Sequence, residues 1–323
     1  MKTPVSILIC TRNRADQLRQ TLASVQALSL PASLVPELII VDNGSTDNTA
    51  EVVRTLKIAN MPVILIDEPR PGLSVARNRA LAAAHGHILL FTDDDVRLPT
   101  DWIQGMCAPI LSGTADAVAG KVVLAPHLHQ RWMQPLHRIV LASTEYMKAD
   151  APGVLFGASM AFSRDVLTRV PAFDPELGAG ALGAGEETLF SWQLLEAGYK
   201  ITTAFDVPVE HHPEPGRLSR ASYLRAARTR AQCHTYIRYH WMHAPAAQWQ
   251  HRLIPSVLLT LLVQTLRLWV WRGLHWRACC KAEGIEEQEF KLVERLQRIR
   301  HYLQERHRPR HYEPYGLIKH ERG

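Results

Sequence analysis

The chain has 323 residues, 46% hydrophobic and 21% charged, which is room for one large domain or two and too apolar for a disordered segment. Its five cysteines (Cys10, Cys107, Cys233, Cys279, Cys280) form no CxxC pair and no even framework, which excludes a disulfide-stapled scaffold and fits a reduced, cytosolic compartment. The net charge of +6 conceals a division: residues 214–323 carry 20 Lys+Arg against 9 Asp+Glu, whereas the first 213 carry 17 against 22.

Met1-Lys2-Thr3-Pro4 leads directly into a strand pattern, so no signal peptide is expected. Val5 to Cys10 reads as a first strand, Asp16 to Leu28 as a helix with Leu18, Leu22 and Val25 on one face, and Glu37 to Val41 as a second strand. Asn43-Gly44 then turns the chain, and Ser45 or Thr46 is placed to cap a helix through Leu56. Val63 to Ile66 is a third strand, and Pro71-Gly72 opens a helix to about His85. Ile88-Leu89-Leu90-Phe91 does not alternate, as a strand buried on both faces should not, and it runs straight into Thr92-Asp93-Asp94-Asp95. Strand and helix alternate throughout this stretch, which predicts an α/β fold with a mainly parallel sheet flanked by helices.

Ligands of such sheets sit outside the carboxyl ends of the strands. Three adjacent carboxylates repel one another, and a hard divalent cation would offset that repulsion; a solvated acidic turn is the competing explanation. No GxGxxG follows the first strand and no GxxxxGK[ST] occurs, so side chains at the strand ends (Thr11, Asp42, Arg77, Asp93, Asp95) must do the binding.

Further on, Thr114 to Leu124 reads as a strand region and His127 to Asp150 as an irregular insertion. Gly157 to Phe162 is rich in small residues, and Ser163 to Leu167 starts a helix. Gly178, Gly180, Gly183 and Gly185 precede Glu186 and Glu187, which open a helix to Ala197; acids favour helix starts in any case. Tyr199 to Phe205 is a late strand, followed by Val209-Glu210-His211-His212.

Leu218 to Tyr239 is expected to be an arginine-bearing helix. Ile254 to Trp271 is the most apolar stretch, but Thr260, Gln264 and Arg267 line one side, and an arginine is expensive in a spanning helix. An amphipathic helix in the membrane interface is expected, with Trp241, Trp249, Trp269, Trp271 and Trp276 as anchors; packing on the preceding domain or in a dimer is the alternative. Glu283 to Arg306 reads as a solvent-facing charged helix or coiled-coil arm, and His307 to Gly323 as loose. The expected division is an α/β domain over residues 1–240 and a helical basic extension over 241–323, serving a membrane interface or oligomerisation.

Four segments, in this order and spacing, resemble glycosyltransferase family 2, the GT-A-fold (Rossmann-like) enzymes that use nucleotide-diphosphate sugars. They are Ile7 to Arg14, Ile40 to Asp47, Ala76-Arg77-Asn78 and Phe91 to Asp95, and the resemblance covers roughly residues 4–240. It implies that Asp42 hydrogen-bonds the nucleotide base, that Asp93 reaches the ribose, and that Asp95 reaches a Mn²⁺ or Mg²⁺ bridging the diphosphate. Asp94 would be peripheral. Arg77 would lie near the nucleotide, unless it is an ordinary surface arginine. Glu186-Glu187 stands where the family shows Glu-Asp, so Glu187 matches the catalytic base, with Glu186 as the other candidate. His211 matches a histidine that completes the metal site in some members; histidine is also a common surface residue.

The function so implied is inverting transfer from a nucleotide-diphosphate sugar to the hydroxyl of a glycan or lipid-linked acceptor, in cell-surface polysaccharide or glycolipid synthesis. The expected place is the cytoplasm or the inner face of the cell membrane, with the basic tail against an anionic surface. A nucleotidyltransferase should carry a Gly-rich phosphate signature, which is absent. A nucleic-acid-binding protein using the basic tail leaves the acidic cluster unexplained. A catalytically inactive sugar-nucleotide-binding protein is the remaining alternative, because Glu-Glu replaces Glu-Asp.

Overall fold

A computed structural model describes residues 2–147, 153–244 and 254–320. Among these lie eight strands: β1 (Thr3–Thr11), β2 (Leu34–Asp42), β3 (Val63–Asp67), β4 (Ile88–Asp93), β5 (Val96–Arg97), β6 (Ala117–Leu124), β7 (Ser159–Ser163) and β8 (Ile201–His211). The helices are α1 (Ala15–Gln26), α2 (Thr49–Arg54), α3 (Leu73–Ala83), α4 (Trp102–Leu111), α5 (Pro135–Val140), α6 (Glu186–Glu196), α7 (Arg220–His240), α8 (Ile254–Leu274), α9 (Trp276–Cys279) and α10 (Glu287–Glu305).

The strands form one sheet in the order β3-β2-β1-β4-β7-β6-β8-β5. β1 pairs in parallel with β2 and β4, β2 with β3, and β6 with β8; β7 runs antiparallel to β4 and β6, and β5 to β8. The non-alternating runs are buried on both faces: Ile7, Leu8, Ile9, Ile39, Ile40, Leu89 and Leu90 are all fully enclosed. Register then fixes the site. Thr11 pairs with Asp42 and Cys10 with Asp93, so the polar residues that end β1, β2 and β4 stand level at one edge of the sheet. Val96 pairs with His211, which brings the end of β8 to the turn that follows Asp93.

The chain divides into two compact units. The first holds residues 1–129, 142–181 and 186–213, and the sheet is its core. The second holds 130–141, 182–185 and 214–323, so the division does not fall at residue 240. The reason is that α7 shares an apolar core with α8 and α10: Tyr223, Ala227, Leu268, Trp271, Phe290, Val293 and Leu296 pack together. Within that core Glu289, 1% exposed, accepts hydrogen bonds from Arg220 and Arg272.

Two expectations about the tail are corrected. The segment Glu283 to Arg306 is no solvated arm, because α10 buries Phe290, Val293, Leu296 and Ile299 at helical spacing. The segment after His307 is not loose either. His311 and Tyr312 are buried, Trp241 Nε1 donates to the Gly316 carbonyl (2.8 Å), and the Tyr315 amide donates to the Trp241 carbonyl (2.8 Å). The insertion 127–150 contains the short helix α5, where His137 ties Trp132 and Tyr223 into an aromatic group. Trp249 lies outside the described residues.

Candidate active site

The three consecutive acids fan apart, each into a different environment. Asp94 turns inward: Thr11 Oγ1 donates to its Oδ2 (2.7 Å) and Arg14 Nη1 to its Oδ1 (2.9 Å). Thr21 Oγ1 anchors the Asp94 carbonyl (2.7 Å). Asp95 takes a second contact from the same Arg14 Nη1 at its Oδ2 (2.7 Å), while His211 Nε2 stands 3.3 Å from its Oδ1. The His212 amide donates to the Asp95 carbonyl (2.8 Å), which locks the end of β8 to this turn. Asp93 keeps the most exposed side chain of the three, at 35%, with Arg77 Nη2 3.6 Å away. Burial drives the Asp94 carboxyl up to about 6 against the pull of Arg14. Burial acts on Asp95 too, but His211 and Arg14 overcome it and hold that carboxyl well below the usual range.

Arg14 therefore carries a share of the charge balance that the sequence offered only to a cation. It was legible as a loop residue after β1, but its partners lie some eighty positions away.

Arg77 is the second counter-charge. Far from a surface arginine, its side chain is 3% exposed; Nη1 donates to Glu186 Oε1 (2.8 Å), and the guanidinium lies over the rings of Phe91 and Phe173 at 5.8 and 5.5 Å. Gly157 makes room for it, since a Cβ there would come within 2.1 Å of Arg77 Nη2. The small residue at 157 thus admits an arginine.

Glu186 and Glu187 start α6, and the two carboxyls differ sharply. Glu186 is bound to Arg77. Glu187 Oε2 is shut off from solvent and has no hydrogen-bond partner among the described residues, and Glu186 Oε2 is in the same condition. Burial, reinforced by the neighbouring Glu186 carboxylate, pushes the Glu187 carboxyl well above the ordinary glutamate range despite Arg77. Desolvation thus overrides the helix start, which acts in the opposite sense.

The remaining candidates fall as follows. Asp42 Oδ1 accepts the Ser45 amide (2.9 Å), so it stabilises its turn. Its neighbour Asn43, marked in the sequence only as a turn residue, donates to the Glu68 and Arg70 carbonyls and accepts from the Gly72 amide, tying the end of β2 to the entrance of α3. His212 turns to Glu210 (3.3 Å) and His127, away from Asp95.

Five carboxylates (Asp93, Asp94, Asp95, Glu186, Glu187) and two guanidiniums (Arg14, Arg77) thus lie in one unit of the fold. Among the described residues no three His, Cys, Asp or Glu side chains converge as a complete metal cage. Asp95 Oδ1, buried and without a hydrogen-bond partner among the described residues, and His211 Nε2 can nevertheless serve one cation, since ligands at about 2.0–2.2 Å from an ion stand roughly 3 Å apart. Ions bound jointly by one or two protein ligands and substrate phosphates need no closed cage.

The sequence profile described as "Glycosyl transferase family 2" matches residues 6–170. The chain belongs to this family. It is a glycosyltransferase. Glycosyltransferase AglE of Haloferax volcanii is 27% identical over 215 residues, covering 65% of this chain and 67% of AglE. Succinoglycan biosynthesis protein ExoM of Rhizobium meliloti is 30% identical over 120 residues, covering 36% of this chain and 38% of ExoM. The solved mannosyltransferase PcManGT from Pyrobaculum calidifontis, in complex with GDP-Man and Mn²⁺, superposes with a TM-score of 0.58 at 21% identity, over 93% of this chain and 85% of PcManGT. That likeness establishes the GT-A fold of the glycosyltransferase.

Proposed function

We propose that this glycosyltransferase moves a sugar, with inversion, from a nucleotide-diphosphate donor to an acceptor hydroxyl, with Glu187 as the base. The observation that carries the reading is the split between the two adjacent glutamates: Glu186 is engaged by Arg77, and Glu187 presents a desolvated carboxyl whose proton affinity is raised by burial. Such a group is suited to take a proton from an alcohol at neutral pH. Glu187 accepts the hydroxyl proton as the acceptor oxygen attacks the anomeric carbon, and the bond to the nucleoside diphosphate breaks on the opposite face. Arg77 holds Glu186 in place beside the base. Asp42 receives the nucleotide base, with Thr11 and Asp94 shaping the floor, and Asp93 faces the ribose from the more exposed position.

A divalent cation, Mn²⁺ or Mg²⁺, fits beside Asp95, His211 and Asp93, where it would neutralise the departing diphosphate. The bound Mn²⁺ and GDP-Man of PcManGT support the cation and the donor class. The name of ExoM supports an acceptor in polysaccharide synthesis, a glycan or a lipid-linked carrier; peripheral association with the cell membrane is part of the same reading. The test is release of nucleotide from UDP-, GDP-, dTDP- and CDP-linked sugars with Mn²⁺ and with EDTA, alongside a thermal-shift panel of the four free nucleotides. Donor-selective stabilisation that needs the metal is expected; indifference to every nucleotide would refute the assignment.

A further inference from the structure

Surface helices ordinarily turn polar residues outward. On α8 the arrangement is reversed. Leu259, Leu262, Leu266 and Trp269 are between 60% and 77% exposed and recur at the three- and four-residue spacing of one helical face, and Leu274 at the helix end is 75% exposed. Gln264 and Arg272 lie on the other side: Gln264 Oε1 is shut away from solvent, and Arg272 donates to the buried Glu289 (2.9 Å). Leu268 and Trp271 hold that inner side in the core it shares with α10. Apolar residues scattered singly over a surface need no explanation, but these form one continuous stripe.

Three observations identify what covers it. Arg267 sits on the exposed side, and Arg277 and Lys281 follow the helix end, where Arg277 lies over the Trp276 ring at 5.7 Å. Exposed Trp269 and Trp276 belong to the residue type that favours the headgroup boundary. The surrounding segment, residues 214–323, carries 20 basic against 9 acidic residues, which complements an anionic surface.

We infer that the outward face of α8 is a docking surface for an anionic phospholipid bilayer, lying in the plane of the interface with its leucines among the acyl chains. This deepens the peripheral association proposed above, and it assigns that association to one helix face. The test reads binding without donor or acceptor, so its failure leaves the transfer reaction standing, and failure of the transfer assays leaves this inference standing.

The full chain is mixed with vesicles of phosphatidylcholine and with vesicles of equimolar phosphatidylcholine and phosphatidylglycerol. Binding to the anionic vesicles is expected to exceed binding to the neutral ones by about tenfold or more and to weaken as salt rises. L262E/L266E should lose vesicle binding, and R277E/K281E should lose the anionic preference. A brominated lipid should quench bound wild-type protein more than W269F, a comparison that does not depend on how the glutamate variants fold. Wild-type binding retained by folded L262E/L266E, or quenching equal in W269F, would overturn the inference. So would indifference to both vesicles combined with a dimer that L262E/L266E converts to monomer, since a second copy would then cover the face.

Discussion

Replacing Glu187 by Gln keeps the side chain's size and removes its ability to take a proton. A positioned base contributes about 10²–10⁴-fold, so kcat should fall by that order, while donor affinity, read by nucleotide titration, stays within about twofold of wild type because the base faces the acceptor. The pH profile gives a sharper reading. In wild type the base works only when ionised, so kcat rises with pH through the raised carboxyl, above the ordinary glutamate value of about 4.3. In E187Q that limb should vanish. Stability moves the other way. A carboxyl whose affinity for protons is higher in the folded chain supports folding below its unfolded value and loses that support as pH rises through the folded value. Each unit of elevation corresponds to about 1.4 kcal/mol. E187Q should therefore melt higher than wild type at pH 8 and no higher at pH 4. A variant that turns over normally, or keeps the acid limb, would place the base elsewhere and reduce Glu187 to a helix-start acid.

Asp95→Ala should abolish transfer and remove the Mn²⁺ dependence of nucleotide binding, whereas Asp94→Asn should keep that dependence and lower stability by about 1–3 kcal/mol through its bonds to Thr11 and Arg14, as read by urea unfolding. Arg77→Met leaves buried Glu186 without its partner and should cost about 3–5 kcal/mol, as read by urea unfolding. Gly157→Ala places a methyl where the Arg77 guanidinium lies, so it should lower both stability, by about 1–3 kcal/mol, and turnover; unchanged melting and activity would show that the arginine moves aside freely.

Much of the sheet is legible in the sequence because buried parallel strands announce themselves as unbroken apolar runs. Ile7-Leu8-Ile9, Leu38-Ile39-Ile40 and Ile88-Leu89-Leu90 are such runs, and their ends suffice to place Thr11, Asp42 and Asp93 together. Charge balance is less legible, since it depends on contacts between distant segments: Arg14 meets Asp94 and Asp95, and Arg77 meets Glu186. The tail misleads for a different reason. Charged residues dominate the surface of α10 and mask the spacing of Phe290, Val293, Leu296 and Ile299, a signal that is present. The polar line Thr260, Gln264 and Arg267 on α8 gives no hint that Gln264 faces inward, because which side of an amphipathic helix meets the protein depends on the partner it finds. The competition at Glu187 between helix start and burial is decided by the fold, which alone sets how dry the carboxyl is.

Glu289 bears on how the chain can be shortened. One enclosed carboxylate from α10 answers an arginine from α7 and another from α8, so the three long helices of the second unit share a single electrostatic fastening. Trimming the protein after α7 would strip the cover from Tyr223 and Ala227 and leave Arg220 without its acid. A cut anywhere ahead of residue 289 has the same defect. The last helix, easily mistaken for dispensable tailing, sets the minimum length at which the second unit holds together, and expression trials should keep it.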